Sequence, residues 1–160
     1  MELLSTLINW AHQKKIRIAL NPGTKEIEHR DKLLGLLTKV EVLFVNREEA
    51  SSLWGIDFSE ESLWSSLQPL PGAHVSVITD GARGGKVSIA GKVHFYEGEK
   101  VKKVVDTTGA GDAFASGYVS AVAYGKSYEA AIEWGKKNAT AVLGSVGAKK
   151  GLLTLSEITR

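Results

Sequence analysis

Residues 104–114 read VVDTTGAGDAF, and this stretch determines how the rest of the chain is interpreted. A short β-branched run leads into two threonines and two glycines, and a helical pattern rich in small residues leaves from Asp112. Such a turn presents backbone N–H groups at a helix start, where the helix dipole favours negative charge and glycine permits close approach. It predicts a phosphate-binding turn in which Asp112 accepts the proton of an attacking hydroxyl. A plain aspartate N-cap is the alternative, and residues 109–112 alone do not separate the two.

The composition indicates an ordinary globular chain and excludes several classes of protein. The 160 residues are 43% hydrophobic, which is enough for a sizeable core. The net charge of +2 comes from 20 basic and 18 acidic residues, and this balance does not favour a nucleic-acid partner. The absence of cysteine excludes disulfides and thiolate metal sites. Neither a membrane-length apolar run nor a secretory signal is visible, so we expect a cytoplasmic protein without a membrane partner.

Hydrophobic periodicity predicts helices and strands that alternate through the first part of the chain. The expected helices cover 2–14, 25–38, the segment from Asn46, 60–68 after an N-cap at Ser59, 113–124, 127–143 and a short segment from Ser156; the expected strands cover 16–20, 42–45, 74–79, 86–90, 92–96 and 101–105. The first helix is expected to bury Leu3, Leu4, Leu7, Ile8 and Ala11. The helix at 113–124 is rich enough in small residues to lie very close to a sheet.

This order of elements predicts an α/β fold in one domain over residues 1–160. The expected architecture has three layers, α/β/α, with a mostly parallel sheet and an antiparallel hairpin region around Ala90 and Gly91. Three informative turns follow strands, at 46–49, 79–85 and 106–112. Because ligands of open α/β sheets bind beyond the carboxyl ends of the strands, we expect these turns to converge if their strands are parallel neighbours.

The block at 106–114 resembles the C-terminal signature of the ribokinase-like (PfkB-type) carbohydrate kinases. Residues 46–49, NREE, resemble the Asn-x-x-Glu motif of that family, and residues 79–84, TDGARG, resemble its Thr-x-Gly-x-x-Gly nucleotide loop. Residues 138–141 and 146–148 resemble the helix and loop that close the adenine pocket. The resemblance runs through most of the chain and implies a partial ribokinase-like fold.

The resemblance implies a phosphoryl-transfer centre at the 109–112 turn. Asp112 would be the catalytic base, and three backbone N–H groups would form the anion hole, those of Gly109, Ala110 and Gly111. Mg²⁺ and the phosphates would be positioned, largely through water, by Asn46 and Glu49. ATP would therefore be the phosphoryl donor, and a hydroxyl of a sugar or sugar-like small molecule would be the acceptor.

Nucleotide contacts are implied for five further residues: Thr79, Gly81, Gly84, Asn138 and Gly147. The first three would meet the phosphates and ribose, and the last two would lie near the adenine. Asp106, together with the carbonyl of Thr108, resembles a site for a monovalent cation such as K⁺. Its other ligands would come from the loop near residues 145–148.

Each assignment has a structural alternative that the sequence leaves open. Asn46 would only cap a helix, with Glu49 as its capping-box partner. Residues 79–85 would form a plain turn, with Arg83 and Lys86 solvated. Asn138 would face solvent, and Asp106 would cap its own turn through the N–H of Thr108.

The family pattern also contains features that this sequence lacks: an N-terminal half with most sugar-binding residues, an earlier Gly-Gly signature and a β-lid. We therefore expect the chain to correspond to the C-terminal, nucleotide-binding half. The strand at 16–20 would then be an open edge beside exposed apolar surface, which predicts a homo-oligomer or pairing with a missing N-terminal half.

Two functional hypotheses follow from the sequence. The first is an ATP-dependent phosphotransferase to a sugar-like hydroxyl, weak or inactive as a fragment because substrate positioning is much of the catalysis in this reaction class. The second is a non-catalytic nucleotide-binding or partner-binding module left by truncation.

Overall fold

The computed structural model describes residues 1–101 and 103–160, which divide into two compact units. The first unit is Met1–Tyr96 and contains the β-sheet; the second is Glu97–Arg160, and its described residues form helices and loops. The single domain expected over residues 1–160 stays a prediction.

The first unit alternates helices and strands, as the periodicity predicts. Its helices are α1 (Glu2–Gln13), α2 (Thr24–Ile27), α3 (Arg30–Leu37), α4 (Arg47–Trp54) and α5 (Glu61–Ser65), and its strands are β1 (Ala19–Leu20), β2 (Val42–Asn46), β3 (Val75–Thr79), β4 (Gly85–Ile89) and β5 (Lys92–Tyr96). A single 3₁₀ turn, Gly81–Arg83, separates β3 from β4. The second unit contains α6 (Ala110–Ala123), α7 (Tyr128–Val142) and α8 (Leu155–Ile158).

The five strands form one mixed sheet in the order β1-β2-β3-β4-β5. Strands β1, β2 and β3 are mutually parallel, whereas β4 and β5 are added antiparallel. Ala90 and Gly91 connect β4 to β5 with φ values of 47° and 77°, the left-handed conformations that a tight two-residue hairpin requires. The expected hairpin region is therefore confirmed, and β1 is an edge strand of the described sheet.

Strand β2 is buried along most of its length. The run from Val42 to Val45 is buried at every position, as expected for a strand covered on both faces. Leu43 and Val45 belong to a core cluster with Leu33, Leu37 and Leu53 from the neighbouring helices. Each such side chain contributes about 1.5–3 kcal/mol on burial, so this cluster fixes the strand whose end carries Asn46.

Two elements of the first unit differ from the expected boundaries. The helix expected over 25–38 is split into α2 and α3, because His29 adopts a non-helical conformation with φ −95° and ψ 44°. The strand expected over 16–20 is reduced to β1, since its pairing with β2 begins only where Ala19 faces Val42.

The N-cap expected at Ser59 is wrong. The hydroxyl and the backbone N–H of Ser59 both donate to Oδ1 of Asp57, at 2.6 and 3.0 Å. The serine is thus engaged in a local turn, and α5 begins two residues later with Glu60 as its N-cap residue.

Helix α1 buries fewer apolar residues than expected. Ile8 is 3% exposed, but Leu3 and Leu7 are 73% and 52% exposed. The apolar residues of α1 occupy two adjacent faces, and only the face of Leu4, Ile8 and Ala11 is turned inward. Leu3, Leu7 and Trp10 follow each other at helical spacing along the exposed face, and they are called the α1 stripe below.

The second unit begins with a loop where a strand was expected. Residues 101 and 103–105 are outside any strand, and the remaining residue of the expected strand, 102, lies outside the described residues. The N–H of Val105 instead donates to the carbonyl of Leu143, at 2.8 Å. The chain therefore enters the 106–112 turn from a loop that is anchored after α7.

Helices α6 and α7 pack closely, with glycine at the points of nearest approach. A Cβ on Gly117 would lie 2.6 Å from the carbonyl oxygen of Trp134, and one on Gly135 would lie 3.0 Å from the ring of Phe114. Gly117 and Gly135 thus serve the contact between α6 and α7, and the expected close approach of α6 to a sheet stays a prediction. Within residues 1–101 and 103–160, no helix is long and apolar enough to cross a membrane.

Candidate active site

Asn46 and Glu49 form a capping box at the start of α4. Oδ1 of Asn46 accepts from the N–H of Glu49, and Oε2 of Glu49 accepts from the N–H of Asn46, both at 2.8 Å. This is the structural alternative that the sequence left open. The capping role is therefore confirmed. Contact of the same two side chains with Mg²⁺ and phosphate stays a prediction.

Thr79 lies beside Asn46 at the same edge of the sheet. The two residues are register partners at the ends of the parallel strands β2 and β3, so the turns at 46–49 and 79–85 meet as expected. Gly81 and Gly84 have φ values of 55° and 95°, which only glycine adopts without strain. The N–H of Asp80 donates to the carbonyl of Gly84 at 2.7 Å and closes the turn.

Asp80 is the charged centre of this turn and was missed by the sequence analysis. Its carboxylate accepts from Nε and Nη2 of Arg83, at 2.8 and 2.7 Å, and from Nη1 of Arg47, at 3.0 Å. Hydrogen bonds from Arg83, and then from Arg47, hold the pKa of Asp80 below its usual range although burial opposes them. One signal was available: Arg47 and Asp80 directly follow the two paired strand ends.

Lys86 is buried beside this network, so the suggestion that it is merely solvated is wrong. Its Nζ donates to the carbonyls of Trp64 and Ser65, at 2.6 and 3.1 Å, which satisfies the end of α5. Burial lowers the pKa of Lys86. Arg47 and Lys86 both lie against the ring of Trp64, at 4.6 and 5.1 Å from its centroid.

The 109–112 turn begins α6 in the second unit. Gly109 has a φ of 80°, and a Cβ on it would lie 2.6 Å from the Cβ of Ala148. Gly111 is different, because no described atom lies within 4 Å of the place its Cβ would take. Gly111 and Asp112 are exposed in the first helical turn, where backbone N–H groups lack intrahelical acceptors. The N–H of Ala110 donates to the carbonyl of Thr107 at 3.2 Å.

Asp106 ties this turn to the loop after α7. Its Oδ1 accepts from the N–H of Thr108 at 2.9 Å, and its Oδ2 accepts from the N–H of Gly147 at 3.0 Å. Hydrogen bonds from Thr108, first from its side chain and then from its backbone, together with that of Gly147, lower the pKa of Asp106 to about 2. The turn-cap alternative is thus confirmed and extended to a second loop.

Asn138 is a buried polar anchor and not the solvent-facing residue that the alternative suggested. Its Nδ2 donates to the carbonyl of Ala113 at 2.8 Å and to Oγ of Ser116 at 3.1 Å. Its Oδ1 accepts from the N–H of Leu153 at 3.0 Å. The side chain therefore joins α6, α7 and the segment before α8, and its expected place near an adenine stays a prediction.

Both expected cation sites offer oxygen donors that fit their ions. Mg²⁺ keeps several waters and is commonly bound through one or two carboxylates plus substrate phosphates, so the oxygen donors of Asn46 and Glu49 fit it. Each carboxylate oxygen of Asp106 accepts one backbone N–H group and keeps a lone pair, so this carboxylate also fits K⁺ as an oxygen donor. Among the described residues, no cluster of three His, Asp or Glu side chains could hold a metal ion.

The model of the pfkB family carbohydrate kinases matches residues 1–155. Because this match extends over nearly the whole chain, the chain belongs to that family of kinases, as the motifs at 46–49, 79–84 and 106–114 indicated.

Individual relatives agree with this membership. The chain is 32% identical to the ribokinase of Haemophilus influenzae over 92% of its own length and 47% of that protein. It is 30% identical to the cytidine kinase of Thermococcus kodakarensis, over 88% of this chain and 51% of that one. The chain spans about half the length of the curated relatives it matches.

A solved structure confirms the expected fold class. A probable sugar kinase from Rhizobium etli is similar with a TM-score of 0.76 and 26% identity, over 95% of this chain and 45% of that one. The chain therefore has the three-layer α/β/α architecture with a mixed sheet that the order of elements predicts.

Proposed function

We propose that this chain carries the nucleotide-binding and phosphoryl-transfer residues of an ATP-dependent kinase acting on a sugar or sugar-like hydroxyl. The observation that carries the proposal is the 109–112 turn, where an exposed carboxylate stands in the first turn of a helix beside the open space at Gly111. Membership of the carbohydrate kinase family supports the reaction class.

The proposed reaction assigns a separate task to each part of the turn. Asp112 accepts the proton of the substrate hydroxyl while the oxygen of that hydroxyl forms a bond to the γ-phosphorus of ATP. The bond from that phosphorus to the β–γ bridging oxygen breaks, and ADP leaves. Backbone N–H groups of Gly109, Ala110 and Gly111 stabilise the charge on the transferring group, although Ala110 must then share its N–H with Thr107.

Nucleotide contacts are proposed for residues of each unit by itself. Thr79, Gly81 and Gly84 would meet the phosphates and ribose, and Asn138 and Gly147 would line the adenine side. Asn46 and Glu49 would hold Mg²⁺ through water, and the ion would supply positive charge that offsets the negative charge of the phosphates. A K⁺ ion at Asp106 would use the lone pairs that the N–H groups of Thr108 and Gly147 leave open.

A second candidate is a nucleotide-binding or partner-binding module without transfer activity. The length of the curated relatives favours it, because this chain matches only about half of each. Substrate positioning supplies much of the rate in phosphoryl transfer, so residues 1–160 alone are expected to transfer phosphate weakly or not at all.

Transfer from Mg·ATP to a broad panel of sugars and nucleosides separates the two candidates. The kinase proposal expects ADP formation that depends on an acceptor and falls by at least about a hundredfold in Asp112→Asn, within the range typical of a lost general base. Glu129→Gln removes an acidic residue from the first turn of α7 and is the control. ATP binding without transfer would support the second candidate, and absence of both ATP and ADP binding would contradict the nucleotide assignment.

Self-association is proposed from the α1 stripe and the open edge at β1. Burying Leu3 and Leu7 in an interface would remove from water two side chains that are more than half exposed. Sedimentation of the wild type should show a concentration-dependent dimer that Leu3→Glu/Leu7→Glu abolishes, while Leu155→Glu in α8 leaves it unchanged. A monomer at every concentration would contradict the homo-oligomer and leave an N-terminal half as the partner.

A further inference from the structure

The two charged residues after β2 and β3 are brought together by the register of the sheet. Asn46 and Thr79 are register partners at the ends of these parallel strands. Arg47 and Asp80 are the next residues along each strand, and Nη1 of Arg47 lies 3.0 Å from Oδ2 of Asp80. A single ion pair therefore joins the start of α4 to the turn at 80–84.

This ion pair is sheltered from water on both sides. The side chains of Arg47 and Asp80 are 12% and 8% exposed. Nε of Arg47 also donates to the carbonyl of Phe58 at 2.6 Å, and its guanidinium lies 4.6 Å from the ring centroid of Trp64. Arg47 is thus held by four separate contacts when its bond to Glu61 is included, so it gives Asp80 a fixed partner.

The turn itself depends on Asp80 for its order. Gly81 and Gly84 both have positive φ, and glycine gives a chain more freedom to lose on ordering than any other residue. The N–H of Asp80 donates to the carbonyl of Gly84, and the carbonyl of Asp80 accepts from the N–H of Arg83. A fixed Asp80 therefore fixes both ends of the glycine turn before a ligand arrives, which lowers the entropic cost of binding.

We propose that Arg47 and Asp80 are positioning residues, which set the Gly81–Gly84 turn for nucleotide binding through their ion pair and need not touch the nucleotide. The inference rests on the proposed function, because it concerns the turn that is proposed to meet the phosphates. Arg47 and Asp80 occupy variable positions of the motifs at 46–49 and 79–84. The inference gives both residues a role and links the two motifs to each other.

The first test measures the order of the turn without nucleotide. Asp80→Asn keeps the shape of the side chain and removes its charge, which leaves Arg47 sheltered with weaker compensation. Amide hydrogen exchange at residues 80–84 should become at least about tenfold faster in Asp80→Asn and in Arg47→Met, while α1 exchanges as before. Unchanged exchange at 80–84 in Asp80→Asn would overturn the inference.

Two matched controls separate positioning from general destabilisation. Arg30 donates to the carbonyls of Leu53 and Trp54 at the other end of α4, so Arg30→Met also removes an arginine that satisfies this region. Glu61→Gln removes the exposed partner of Arg47 and spares Asp80. Both controls should leave exchange at 80–84 unchanged, and an equal acceleration in Arg30→Met would overturn the inference.

The second test compares ATP with adenosine by calorimetry. Asp80→Asn and Arg47→Met should weaken Mg·ATP binding about tenfold, the equivalent of one charge-assisted hydrogen bond, and should change adenosine binding much less. Arg30→Met should alter neither ligand. If the wild type binds Mg·ATP and Asp80→Asn binds it equally well, the positioning inference fails alone; if the wild type binds no ATP, the proposed function fails and the inference falls with it.

Discussion

The two glycine turns of this chain have the same proposed ligand but are held in place by different forces. The 81–84 turn is fixed by charged side chains, through the contacts of Asp80 with Arg47 and Arg83. The 109–112 turn is fixed by the close approach of Gly109 to Ala148 and by the hydrogen bond from the N–H of Gly147 to the Asp106 carboxylate. Two glycine turns of one chain can therefore be sensitive to different substitutions. We expect the first turn to be disturbed by loss of charge and the second by added side-chain volume.

The largest expected effect is a loss of stability from added volume in the 109–112 turn. Gly109→Ala would place a Cβ 2.6 Å from Ala148 at a φ of 80°, so we expect the free energy of unfolding to fall by about 3 kcal/mol. Gly111→Ala meets no described atom within 4 Å and should change it by less than about 1 kcal/mol. Urea unfolding measures both variants.

Gly111→Ala also sharpens the functional side of this pair. Its added methyl would occupy the open space proposed for a phosphate, so Mg·ATP binding should weaken although the fold is intact. Equal stability of the two alanine variants would contradict the steric account of the turn. Unchanged ATP affinity in Gly111→Ala would contradict the proposed anion hole.

The next effect concerns the neutral anchor of α6. Asn138→Ala removes three hydrogen bonds and leaves the carbonyl of Ala113 and the N–H of Leu153 without that partner. The expected loss is about 2 kcal/mol of unfolding free energy, since buried polar groups are left unsatisfied. Asn9→Ala, which removes a single partly exposed bond to Lys39, is the control and should cost clearly less. A loss no larger than the control's would show that Asn138 anchors nothing.

A smaller effect compares a helix cap inside the proposed site with one outside it. Asn46→Ala and Ser127→Ala each remove an N-cap side chain, from α4 and α7, and each should lower the unfolding free energy by about 1 kcal/mol. Only Asn46→Ala should also weaken Mg·ATP binding. If both variants bind Mg·ATP like the wild type, Asn46 is a cap and nothing more.

The smallest expected effect is a pH dependence confined to acid conditions. The pKa of Asp106 is about 2 in the folded chain, below its ordinary 3.8, so the ionised carboxylate stabilises the fold above about pH 4. This contribution is lost as the pH falls from about 4 through about 2. The stability difference between wild type and Asp106→Asn should shrink across that window in urea unfolding. Parallel loss in wild type and Asp106→Asn would contradict the assignment.

Local features of the fold could be predicted from the sequence because they depend on neighbouring residues. The hairpin at Ala90-Gly91 and the cap at Ser127 rest on contacts within a few positions, and both are confirmed. The adjacency of Asn46 and Thr79 was also predictable, because parallel strands bring their carboxyl ends to one edge.

Contacts between distant segments could not be predicted in the same way. The ion pair of Arg47 with Asp80 and the bonds of Asn138 join residues 15 to 33 positions apart, and they depend on register and helix rotation that no local pattern encodes. The strand expected at 101–105 failed for a similar reason, because its β-branched residues favour a strand locally while Val105 bonds to Leu143 in a loop. The residues that define the motifs were therefore identified, whereas Arg47 and Asp80, which lie between them, were not.

The most direct test of the central claim is hydrogen exchange of the wild-type chain with and without saturating Mg·ATP. The claim is that the 81–84 turn in the first unit and the 109–112 turn in the second unit each respond to the phosphates of ATP. We therefore predict slower exchange at 80–84 and at 109–112 when Mg·ATP is bound, with α1 unchanged as the internal reference. Equal exchange of both turns with and without Mg·ATP would contradict the claim.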